Sequence, residues 1–365
     1  MTPAGRPWPV AAAASVWCPT PDVARRPHPP TTLQGDTVHS LSPSSSPARR
    51  RLLRGLAGAA AALALPARVQ AFPSKPITFV LPFPAGGSFD PVMRSLAEAT
   101  SRELGQAVVL THKPGAGGVP GTAALATMSE SDGYTVALMH NSVLRQPLLQ
   151  KTAWDPLKDF TYLCGLAGLV TGICVAADAP WKTLGELLAD AKARPGQISW
   201  GTVGAISINR ITAERLARAA AAKFNMIPFK GGGEAFTALI GRHLDVYGDP
   251  GFGPQVLGGK VRLLATFSAE RLKRFAQVPT VRESGHDFVI DSLVGLVAPK
   301  GLDPAVAARL SAAFLKAAED PEHKRQLDSF DFLAKPMSAD AYRRYAVAQL
   351  AREKAMLDEI GFKPE

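Results

Sequence analysis

The chain has 365 residues, 46% of them hydrophobic and 20% charged, which is the composition of a globular protein long enough for about two packed domains. A net charge of +10 suggests a nucleic-acid partner, but residues 1–71 supply +6 of it and the remainder only +4. No Lys/Arg cluster interleaved with aromatics occurs beyond residue 71, so a phosphate-backbone footprint is excluded.

Residues 1–47 carry ten prolines and no hydrophobic period, which predicts a disordered segment or an over-early start. Residues 48–71 have the parts of an export signal: basic Arg49-Arg50-Arg51-Leu52-Leu53-Arg54, an apolar stretch from Gly55 to Leu65, and a small-residue site ending Val69-Gln70-Ala71. Cleavage after Ala71 is expected, by the twin-arginine or the general secretory route. The apolar run is shorter than the roughly 20 residues that a spanning helix needs.

From Phe72 onward, strand and helix patterns alternate. Ile77 to Phe83 is a near-continuous apolar run with β-branched residues and reads as a buried parallel strand. The helix Pro91 to Leu104, the strand Val108 to Leu110, the helix Thr122 to Met128 and the strand Tyr134 to Met139 follow. Further along come the helix Leu184 to Ala193, the strand Gln197 to Trp200, the helix Arg210 to Ala222, the strand Asn225 to Pro228, the helix Ala235 to Ile240 and the strand Leu244 to Tyr247. Such alternation predicts parallel sheets with helices on both faces, and ligands in such folds sit at the carboxyl ends of the strands.

The loops after strands therefore carry the functional reading. In Pro82-Phe83-Pro84-Ala85-Gly86-Gly87-Ser88-Phe89-Asp90-Pro91, the glycines permit a tight turn and a close ligand approach, and Asp90-Pro91 reads as an N-cap followed by the first helical residue. Asp90 is then either a cap alone or part of an anion site made from free backbone amides. His112-Lys113-Pro114-Gly115-Ala116-Gly117-Gly118-Val119-Pro120-Gly121 is not a dinucleotide fingerprint: Pro120 replaces the third glycine, and no acid stands about 20 residues on. Gly201 to Asn209 again runs from strand to helix with two hydroxyls, Thr202 and Ser207. Cys164 and Cys174 read as buried free thiols, with a disulfide as the alternative, and the scattered histidines indicate no metal site. No cofactor is expected.

Taken together, Phe72-Pro73-Ser74-Lys75-Pro76-Ile77, Pro82-Phe83-Pro84-Ala85-Gly86-Gly87, Lys113-Pro114-Gly115-Ala116-Gly117-Gly118, Asp132-Gly133-Tyr134-Thr135, Phe229-Lys230-Gly231-Gly232 and Val278-Pro279-Thr280 resemble the Bug-type periplasmic receptors of tripartite tricarboxylate transporters. The resemblance implies an α/β, type II periplasmic-binding-protein fold: two α/β domains with crossing strands and a ligand cleft between them. It puts the crossings near Leu163 to Gly168 and Val289 to Val294, with one domain of residues 72–168 plus 289–365 and another of 169–288. It implies a non-enzymatic, monomeric periplasmic protein that takes up a small organic acid and meets the permease subunits of such a transporter. Input to a membrane sensor is the alternative, and an α/β enzyme a remote one, since neither G-x-S-x-G nor a P-loop motif occurs.

Position by position, the resemblance implies that Phe83, Ala85, Gly86, Gly87 and Asp90 form the carboxylate-binding loop. Asn141 and Ser142 offer polar contacts, Thr202, Gly204 and Ser207 form the opposing loop, and Asp249 follows a strand facing the cleft. Phe89, His112, Ile206 and Arg210 depart from the family's usual Thr, Asn, Gly and His. Arg210 is a candidate for a second ligand carboxylate, or else covers the helix surface. The changed positions point to a mono- or dicarboxylate with an apolar body.

Overall fold

The computed structural model describes residues 72–203 and 207–362. The segment 1–47, the expected signal 48–71, Gly204 and Ile206 lie outside the described residues.

The apolar run after Phe72 forms β1 (Ile77–Leu81), which pairs in parallel with β2 (Val108–His112) and β3 (Thr135–Met139). Antiparallel to β3 runs β10 (Ser292–Pro299), followed by β4 (Phe160–Leu169) and β11 (Phe332–Met337), giving the order β11-β4-β10-β3-β1-β2. The second sheet has the order β7-β6-β8-β5-β9 and contains β5 (Gly172–Ala176), β6 (Ser199–Val203), β7 (Asn225–Phe229), β8 (Val246–Asp249) and β9 (Val261–Thr266).

Only Val170 and Thr171 separate β4 in the first sheet from β5 in the second. The chain returns through Ile290 and Asp291 to β10, and Phe267 ties both crossings: its N–H donates to Thr171 O and its carbonyl accepts from Ile290 N–H, each at 2.9 Å. The first crossing thus falls just past the expected Leu163 to Gly168, the second inside Val289 to Val294.

The sheets are mixed and not purely parallel. Strands that carry the chain away from the crossing (β10, β11 and β5) must run opposite to those that end beside it, and they pair antiparallel accordingly.

The helices are α1 (Phe89–Leu104), α2 (Val119–Ala123), α3 (Asn141–Leu149), α4 (Leu184–Ala193), α5 (Ile208–Ala219), α6 (Gly232–Ile240), α7 (Gly253–Leu257), α8 (Pro304–Ala317), α9 (Pro321–Ser329) and α10 (Ala339–Glu359). They cover both faces of each sheet. Phe79 and Leu96 pack with Phe314 on one face of the first sheet, and Val80 and Val143 with Tyr342 on the other. Trp200 and Leu216 lie under one face of the second sheet, Tyr247 and Phe236 under the other. Leu149, Ile211, Leu357 and Ile360 join α3, α5 and α10 behind the crossing.

Two boundaries differ from expectation in ways that matter. The α2 segment starts at Val119, with Pro120 in its first turn, and tightens into a 3-10 turn over Ala124–Thr127. The strand β8 runs two residues later than Leu244 to Tyr247, so Asp249 is its last residue. Cys164 and Cys174 are both buried free thiols. Among the described residues no helix is long and apolar enough to cross a membrane.

Candidate functional site

A cavity of about 330 Å³ lies between the two sheets. Strand-to-helix turns reach its wall, four of them at the N-terminus of a helix of nine residues or more: Gly87, Ser88 and Phe89 at α1; His140, Asn141 and Ser142 at α3; Ser207 and Ile208 at α5; Gly231, Gly232 and Gly233 at α6. Another, Pro250 and Gly251, leads from β8 into the short α7. An α-helix leaves its first amide N–H groups unpaired and carries a partial positive charge there, so anions are favoured at this end. At α5 the Ser207 hydroxyl accepts from Arg210 N–H, whereas α1, α3 and α6 have no side-chain cap. Not all of their first-turn amides are free: Asp90 N–H donates to Gly87 O at 3.1 Å, Val143 N–H donates to His140 O at 3.0 Å, and Pro91 has no N–H. Phe89, Asn141, Ser142, Gly232 and Gly233, ahead of these at the helix starts, line the cavity.

No Lys or Arg is among the described residues of the wall. His140 adds no positive charge either. It is buried, its Nε2–H donates to Gly118 O at 3.3 Å, and burial pulls its pKa down to about 4, so the ring is neutral near pH 7. The apolar part of the wall includes Phe83 stacked on Phe89 (ring centres 4.4 Å apart), Leu169, Val203, Phe236 and Phe330. The arrangement can hold an organic anion by backbone dipoles while its carbon skeleton meets aromatic and aliphatic side chains.

The expected site residues divide. Phe83, Gly86, Gly87, Asn141, Ser142, Ser207 and Asp249 line the cavity. Ala85 is exposed and Thr202 is buried within β6; neither is in the wall.

Asp90 and Arg210 are turned to other tasks. The helix α1 begins at Phe89, so Asp90 sits in its first turn and is not the N-cap. Its Oδ2 accepts the Gly86 N–H at 3.1 Å, its Oδ1 binds Arg94 at 2.9 Å, and His112 Nε2 lies 3.3 Å away. Burial raises the Asp90 pKa, but the Gly86 amide, Arg94 and His112 outweigh it and hold the carboxyl below its usual range. One of the amides expected for the ligand is thus already taken by Asp90. Arg210 does not border the cavity; its Nε donates to Glu214 at 2.7 Å, one turn along its own helix.

Asp249 ends β8 at the wall. Tyr247 Oη donates to its Oδ2, and Asn209 Nδ2 donates to its Oδ1 at 2.5 Å and to Gly248 O at 2.7 Å. Burial outweighs those hydrogen bonds and pushes its pKa up to about 6.

Sequence reasoning missed His140, Asn209 and the Gly231-Gly232-Gly233 turn as parts of the wall. The glycine run after β7 carried the same strand, glycine, helix signal as the first loop. His140 and Asn209 carried none.

The lobes meet at glycines around the mouth. A Cβ on Gly231 would stand 2.6 Å from Pro84 Cγ of the opposite lobe, one on Gly251 2.3 Å from Ser88 Cβ, and one on Gly253 2.1 Å from Asp331 Oδ2.

A sequence profile of the tripartite tricarboxylate transporter family receptors matches residues 92–362. A UPF0065 protein encoded in the gbd 5' region of Cupriavidus necator is 42% identical over 313 residues, covering 84% of this chain and 95% of that protein. Among solved structures, the periplasmic binding protein BugD superposes with a TM-score of 0.77 at 28% identity, covering 80% of this chain and 100% of BugD. MatC from Rhodopseudomonas palustris, with bound malate, superposes at 0.73 and 26% identity, covering 78% and 100%. The loop motifs and the two-lobed fold therefore agree with the profile and the relatives: the chain belongs to the tripartite tricarboxylate transporter receptor family.

Proposed function

We propose that this chain is a periplasmic solute-binding protein that captures a small organic carboxylate between its lobes and delivers it to the permease subunits of a tripartite tricarboxylate transporter. The observation that carries this is the convergence of four helix N-termini on one cavity whose described wall holds no Lys or Arg. Malate in MatC supports a carboxylate as cargo.

The test is a thermal-shift screen of small organic acids against their amides, followed by calorimetry. Carboxylates should raise Tm, since a ligand at a hundred times its Kd adds about 2.7 kcal/mol of stability, and the amides should not. A screen in which no carboxylate binds overturns the reading.

A further inference from the structure

Asp249 is an acid in the wall of a cavity otherwise built for an anion. Both of its oxygens accept hydrogen bonds from neutral groups, Tyr247 Oη and Asn209 Nδ2, and no ion pair joins it to a Lys or Arg among the described residues. The charged and titratable neighbours do not relieve it. Tyr247 shares its strand, and Cys174 on β5 is buried with its thiol pushed well above the usual range, partly by Asp249 itself. Among the described residues, the local compensation comes from the dipole of α5, whose first turn holds Asn209, and of α6, where a Cβ on Gly232 would lie 3.1 Å from Asp249 Oδ2. With its pKa at about 6, the carboxyl is mainly ionised at pH 7.5.

An ionised acceptor at a ligand-facing position rewards a hydrogen-bond donor and penalises a second anion. Arg210, the group that could have neutralised a second carboxylate, is held by Glu214 away from the cavity. From this juxtaposition, and resting on the carboxylate reading above, we infer that Asp249 determines specificity and that the ligand is a hydroxylated monocarboxylate. Its carboxylate meets the helix N-termini, and its hydroxyl donates to Asp249. The uncapped α1 and α3 belong to the lobe opposite Asp249, so the carboxylate lies toward them and the hydroxyl end toward β8. The aromatic and aliphatic wall accommodates the methylenes between.

The test compares butyrate and hexanoate, their hydroxy derivatives at each carbon, and the diacids succinate and adipate, by calorimetry at pH 7.5. In the wild type, at least one hydroxy acid should bind about ten- to a hundredfold tighter than its unsubstituted parent, as expected for one hydrogen bond to a charged group, and tighter than the diacid of equal length. In Asp249→Asn, which can keep both side-chain partners, that hydroxyl advantage should shrink to about threefold or less and the diacid should gain affinity. Equal affinity for parent and hydroxy acids in the wild type overturns the inference while leaving the carboxylate reading intact. An unchanged hydroxyl preference in a folded Asp249→Asn overturns the role of Asp249. No binding by any of these acids counts against the carboxylate reading itself, and the inference falls with it.

Discussion

Asp90 and Asp249 stand on opposite lobes near the same cavity, and their surroundings drive them in opposite directions. Asp90 is held below its usual pKa by an amide, an arginine and a histidine, so its contribution to stability is present above the ordinary carboxylate pKa and is lost as pH falls through the lowered one. Asp249 is raised to about 6, so the folded state binds its proton more tightly than the unfolded chain does, and its contribution is greatest below about 4 and lost as pH rises through 6. His140 works against it on the acid side, because a ring held neutral down to about 4 costs stability once the unfolded chain can protonate near 6.5. The pH curve of the wild type mixes these effects, but the difference from one variant isolates one of them. Asp249→Asn should melt higher than the wild type at pH 8, and the gap in Tm should close toward pH 4; a gap that stays constant would mean that Asp249 does not titrate in this window. Asp90→Ala should cost only about 1 kcal/mol, the value of one surface-loop hydrogen bond, yet it frees Gly86 to move, so ligand affinity in calorimetry should fall about tenfold. Asp90 was read beside the cleft from Asp-Pro after a glycine loop, whereas Asp249 was put there only by the family resemblance. What each carboxylate binds was not legible, since Gly86, Asn209 and Tyr247 meet them only through the folded turn geometry.

At the scale of elements, the apolar runs located β1, β2, β3, β6, β7 and β8, but β9 and β11 were not read, β4 and β10 came only from the crossings that the family resemblance implies, and strand direction stayed hidden. A buried strand reads the same whether its neighbour runs parallel or antiparallel, and only the passage of β4 into β5 across Val170-Thr171 fixes the polarity of the mixed sheets. The strand β8 was placed two residues early because Gly248 and Asp249 break its apolar pattern, although they continue its ladder with Ile173 and Gly172. The orientation of α3 was equally invisible. Its N-terminus lies in the cavity wall, and its body is anchored by Arg145, whose Nε meets Glu353 of α10 at 2.6 Å with both side chains wholly buried; Gln349 donates to the other Glu353 oxygen at 2.9 Å. Removing one partner of a buried pair strands the other charge. Arg145→Met should therefore destabilise by about 3–5 kcal/mol in urea unfolding, whereas adding Glu353→Leu should recover most of that loss. Equal destabilisation by the single and double variants would show that the pair matters for packing and not for charge.

At the scale of the molecule, the two lobes are held close over the cavity. The mature protein should begin at Phe72, which leaves the first strand intact, and the intact mass of the periplasmic form decides this; a species retaining residues 49–71 would refute it. The lobes approach each other at glycines. Gly231 has an extended backbone, with φ of −171°, that any residue adopts, so alanine there causes no local strain in its own lobe. Its Cβ would nevertheless stand 2.6 Å from Pro84 Cγ, a ring atom of the other lobe fixed by a proline and unable to swing aside. Gly231→Ala should leave the melting of the ligand-free protein near that of the wild type but hold the cleft ajar. With saturating ligand, small-angle X-ray scattering should then show a larger radius of gyration than for the liganded wild type. Affinity should also fall, because the amides of α6 no longer reach a ligand seated against α1 and α3. If the variant closes to the wild-type radius and binds as tightly, the contact between Pro84 and Gly231 is not what limits closure.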